Sequence, residues 1–119
     1  MKFNNEQEVI KFMKETKGKE GRPTRIKMLS GHQWTAWKQI VAAANNIIGG
    51  YENACMDNPE EKMPSNEELF DMIFYAIHNE VNDIGYTNFN GGLEEIKFAG
   101  NIFLKGAIKY KMSVDGYIL

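Results

Sequence analysis

From Leu69 to Ile84 the chain is apolar on almost every side except one strip. On a helix of 3.6 residues per turn, Asp71, Tyr75, His78 and Asn82 fall in one narrow sector, while Leu69, Phe70, Met72, Ile73, Phe74, Ala76, Ile77, Val81 and Ile84 cover the rest. Such a helix has to be enclosed by other elements, so the pattern predicts that it is the central core helix. Ser65 and Glu68 form the capping box that opens it, and Gly85 marks its end.

Two further helices precede it. Asn5 and Glu8 make an N-x-x-E start for a helix over 6–16, with Phe3 expected to pack back onto Val9 or Ile10. Ser30 and Gln33 form another capping box, after which Trp34, Trp37, Ile40, Val41, Ala44, Ile47, Ile48 and Tyr51 recur at three- and four-residue steps. Gly49 and Gly50 interrupt that stripe without shifting its phase, so the helix is expected to reach Met56. Between the first two helices, 18–24 reads as a loop, and 24–29 alternates as a short strand.

In the last third, Ile96, Phe98, Gly100, Ile102, Leu104, Gly106, Ile108, Tyr110 and Met112 alternate with mostly polar residues. One strand of that length is improbable, and a hairpin at Gly100 and Asn101 would mix apolar and charged residues on each face. A helix from Asn101 instead puts Phe103, Leu104, Ala107 and Ile108 on one side and Lys105 and Lys109 on the other. The reading is therefore a strand over 95–98 followed by a fourth helix. The strands 25–29 and 95–99 would pair. The predicted fold class is α+β and predominantly α: about four helices with a small two-stranded element, in one compact domain over 1–119.

Length and composition agree with one core. A chain of 119 residues, 43% hydrophobic and 25% charged, has ordinary globular values. A net charge of -2 gives no bulk argument for nucleic acid or membrane. Cys55 is the only cysteine, which excludes an internal disulfide and points to a reducing, cytoplasmic setting; no run has the length of a membrane span or the form of a signal peptide.

Candidate chemistry is sparse. The strip Asp71, Tyr75, His78 and Asn82 holds a histidine with an aspartate and a tyrosine on its own helix face, the ingredients of a general base or part of a metal site, but ligands on one helix do not close a coordination sphere. Its alternative is the solvent face of a buried helix. No catalytic, cofactor-binding or metal-binding set is assigned. Lys14 to Lys27 is rich in cations, and Lys19, Arg22 and Arg25, joined by Lys97 if the strands pair, would form an anion, nucleotide or nucleic-acid patch without the spacing of a phosphate loop. Glu52, Asp57, Glu60, Glu61, Glu67 and Glu68 form an acidic stretch that lacks calcium-loop spacing and suits a basic partner surface. Tyr86 and Phe89, aromatics on a polar loop, are candidate interface anchors alongside Glu60 and Glu61.

The run Glu95-Ile96-Lys97-Phe98-Ala99-Gly100, continuing through Phe103, Leu104, Ile108 and Tyr110, resembles the ends of uncharacterised small proteins carried by bacteriophages and mobile elements of low-GC bacteria. The resemblance implies a setting in which short non-catalytic proteins bind and block or redirect a host machine, defence systems included. The expected function is thus a non-catalytic inhibitor or adaptor, a phage counter-defence factor of anti-CRISPR-like kind, with a host protein as partner. Nucleotide or nucleic-acid binding through the basic segment is the alternative. No cofactor and no membrane are expected, and a second copy is a further candidate to cover the apolar core helix.

Overall fold

The computed structural model describes residues 3–16, 31–83 and 92–119, with side chains over 3–16, at 33 and 34, over 36–77 and over 102–119. Four helices account for most of them: α1 (Glu6–Glu15), α2 (Gly31–Asp57), α3 (Asn66–Asp83) and α4 (Gly92–Val114). No strand occurs among the described residues. The α+β expectation is corrected to a helical bundle, because 95–99 lies inside α4 and is helical. Its expected partner strand, 24–29, falls outside the described residues.

The cause is local, since Ile96 and Phe98 alternating with Glu95 and Lys97 fit a strand and a single helical turn equally, and the rest of α4 shows the helix plainly. This helix packs against α1, α2 and α3, whereas α3 packs mainly on α2 and α4. A helix with neighbours on three sides carries apolar residues around most of its circumference. Among 102–113 none is exposed: Phe103, Leu104, Ala107, Ile108, Tyr110 and Met112 are buried, and Ile102, Lys105, Lys109 and Ser113 form the half-buried stripe. The separation of Phe103, Leu104, Ala107 and Ile108 from Lys105 and Lys109 holds, but the helix starts at Gly92 rather than Asn101 and takes the central place expected of α3.

The other helices show one buried stripe each. On α2 it is Trp37, Ile40, Ala44 and Ile48; on α3 it is Leu69, Ile73 and Ile77; on α1 it is Val9, Phe12 and Met13. Trp37 meets Tyr110 of α4 with ring centres 6.0 Å apart, and Tyr51 of α2 donates to Met72 Sδ of α3 at 3.7 Å. On the α3–α4 face, Lys105 and Lys109 lie over the rings of Phe74 and Phe70, at 5.6 and 5.8 Å from their centres, so the aliphatic stems of both lysines cover aromatic surface.

Helix α1 is seated by a close approach. A Cβ added to Gly106 would stand 2.6 Å from Val9 Cβ and 3.0 Å from the backbone oxygen of Glu6, so only glycine permits this spacing. Beside the contact, the enclosed Glu6 Oε1 lies 2.8 Å from Lys109 Nζ, an ion-pair distance without the alignment of a hydrogen bond. Asn5 caps α1 as expected, accepting from the Glu8 amide at 2.9 Å. Phe3 stacks on Phe103 and meets Phe12 edge-on, tying the N-terminal segment to α4 instead of only to its own helix.

Candidate functional site

Helix α2 runs through Gly49 and Gly50, neither of which has an atom within 4 Å of an added Cβ, and ends at Asp57. The following residue organises the connection. Asn58 donates its amide to Ala54 O at 2.9 Å, while its Oδ1 accepts from Glu60 N at 3.1 Å and its carbonyl accepts from Glu61 N at 3.0 Å. Asparagine is suited to this because its side chain imitates a backbone acceptor in a turn. The turn leaves Glu60 and Glu61 exposed.

Ser65 then caps α3. Its Oγ accepts from Glu68 N and its hydroxyl donates to Glu68 Oε1, both at 3.1 Å. Glu67 and Glu68 occupy the first turn, where the unpaired amides of a helix start favour negative charge. With Glu52 and Asp57 from α2, six exposed carboxylates thus flank the α2–α3 connection, accompanied by Lys62. Met56, 81% exposed, lies among them.

The third component comes from the end of α4. Gly116, at φ 94°, turns the chain back: Tyr117 N donates to Met112 O at 2.8 Å and Gly116 N to Ser113 O at 3.2 Å, the paired bonds of a Schellman C-cap. Inside the turn, Lys111 is nearly buried and reaches both oxygens of Asp115, at 3.0 and 2.9 Å. The reversed segment then crosses to the acidic corner. Tyr117 donates its hydroxyl to Glu52 Oε1 at 2.7 Å, and Asn66 Nδ2 donates to Ile118 O at 2.8 Å. The hydrogen bond to Glu52 holds the Tyr117 hydroxyl above the usual phenol pKa, with burial and the charges of Glu52 and Asp115 acting in the same direction.

The other expected sites fare differently. Asp71 and Tyr75 face outward on α3, Tyr75 being 63% exposed, opposite the fully buried Leu69, Ile73 and Ile77. The side chains of His78 and Asn82, on the same strip, lie outside the described set, as does that of Lys97, which α4 carries in place of the expected strand. Lys19, Arg22, Arg25, Tyr86 and Phe89 are outside the described residues altogether. Cys55 is half-buried on α2, and among the described residues no three His, Cys, Asp or Glu side chains gather as metal ligands. No described helix is long and apolar enough to cross a membrane.

Sequence reasoning singled out the acidic residues but missed Met56, Gly116 and Tyr117. An Asp-Gly pair after an apolar helix is a C-cap signal, which locates the turn but not the carboxylate on which the following tyrosine lands. Compared with known protein families, with curated proteins and with solved structures, the chain matches none.

Proposed function

We propose that this protein is a non-catalytic binding protein, an inhibitor or adaptor that meets a basic surface of a partner protein with the acidic corner formed by α2, the 58–65 connection and α3. The supporting observation is the exposure of Glu52, Asp57, Glu60, Glu61, Glu67 and Glu68 around one connection, with Lys62 as the cation among them. Glu60 and Glu61, held outward by the asparagine turn, need no rearrangement to receive lysine or arginine. The summed field of the acidic corner steers a cationic partner and sets its orientation. Met56 supplies an apolar contact within the charged rim, the arrangement in which an anchor residue is shielded from water on binding.

The reading includes a phage or mobile-element setting, in which the partner is a component of a host machine such as a defence complex; this part is carried by the resemblance of the C-terminal third. Affinity capture with the wild-type chain and with Glu60→Gln/Glu61→Gln tests the reading. The expected result is a stoichiometric basic protein whose recovery falls as salt is raised and is reduced about tenfold by the double substitution, the scale of losing two steering charges. Equal recovery by both forms, or purification with a tightly held small molecule and no protein partner, overturns it.

A further inference from the structure

We propose that the five residues after α4, Asp115 to Leu119, form a latch that occupies Glu52 and competes with a cationic group approaching the acidic corner. The inference rests on the binding reading above for the ligand, and on geometry for the latch.

The geometry has three parts. Gly116, in the left-handed region, reverses the chain, a conformation that an L side chain adopts only with strain. The reversal delivers the Tyr117 hydroxyl to Glu52 on α2 at 2.7 Å, and its half-buried ring packs against the core cluster. The next residue is held by a different helix, Asn66 of α3 bonding the Ile118 carbonyl at 2.8 Å. The segment therefore spans α2 and α3 at the start of the acidic surface, while the Ile118 side chain is left in solvent, 72% exposed residue as it is.

Glu52 is the only one of the six carboxylates at this corner bonded by the reversed segment. A phenol donating to Oε1 takes one lone pair and covers one approach to the carboxylate. A lysine ammonium approaching along that lone pair has to displace the tyrosine. Removing the hydroxyl while keeping the ring leaves the packing and frees the acceptor, so Tyr117→Phe separates latch from core.

Two measurements on the full chain decide the matter. Backbone order parameters of residues 117–119 are expected to fall below the rigid value of roughly 0.85 in Tyr117→Phe. Titration with a labelled oligolysine peptide is expected to show about threefold tighter binding by Tyr117→Phe than by the wild type, the lower range of one net hydrogen bond, and no such gain in a Glu52→Ala background. Unchanged order parameters in Tyr117→Phe overturn the latch. Peptide binding that depends on Glu60 and Glu61 but is indifferent to Tyr117 overturns the competition and leaves the acidic-corner reading standing. Peptide ignored by every form overturns that reading, and the competition with it.

Discussion

Along the seam between α1 and α4 the backbone of Glu6 and the side chain of Val9 stand so near Gly106 that a single methyl group has no place. At the corner where α2, α3 and the C-terminal segment meet, the hydrogen bonds that join the segment to the helices are made by exposed or half-buried groups: Tyr117 to Glu52 and Asn66 to Ile118 O. The seam excludes water and depends on shape. The corner stays wet, and each of its bonds exchanges with water for a net of about 1 kcal/mol. Stability is therefore concentrated where no partner reaches, and the groups suited to recognition lie where substitution disturbs the fold least.

The largest effect that sharpens this contrast comes from the buried side of α4. Ile108 is fully buried, and Ile108→Ala is expected to destabilise the protein by about 2–5 kcal/mol, read as a lower urea midpoint. Against a total of about 5–15 kcal/mol for a domain, that is a large share. A loss below about 1 kcal/mol would mean that α4 is not the packed centre.

Glycines offer an internal control of intermediate size. Glycine to alanine in a helix ordinarily gains about 1 kcal/mol. At Gly50, with open space around it, Gly50→Ala is expected to show that gain. At Gly106 the overpacking cost of about 1–3 kcal/mol opposes it, so Gly106→Ala is expected to be destabilised by up to about 2 kcal/mol in the same denaturation experiment. Equal stabilisation by both substitutions would break the distinction between seam and surface.

The smallest effect belongs to the corner and depends on pH. Because the folded state raises the Tyr117 pKa, it favours the protonated phenol; the associated stability is fully present below the unfolded value near 10 and is lost as pH rises through the higher folded value. The difference in tyrosinate absorbance between wild type and Tyr117→Phe is expected to titrate above pH 10. A midpoint at or below 10 would show that the hydroxyl is not donating to Glu52.

Several parts of this architecture were readable one residue at a time. The caps at Asn5 and Ser65 stand where N-x-x-E and S-x-x-E spacing put them, because a cap is a contact between residues three apart. The stripe of α2 and the separation of Lys105 and Lys109 from the buried side of α4 follow from helical period, and the acidic residues are recognisable as a cluster. The strand expected at 95–98 is helix instead: Ile96 and Phe98 alternating with Glu95 and Lys97 make a run too short to separate period 2 from period 3.6. The conspicuous polar strip of α3 suggests a central place for it, whereas α4 is the helix that packs on the other three.

What the linear order of residues determined by itself is local: helix starts, the apolar stripes, the asparagine turn at 58 and the glycine reversal at 116 all depend on neighbours within a few positions. Which helix lies at the centre, that Gly106 rather than Gly49 or Gly50 is the indispensable glycine, and that Tyr117 finds Glu52 across 65 positions were decided only by tertiary packing. Those relations join residues far apart in the chain, and their energies exist only once the helices have closed on one another.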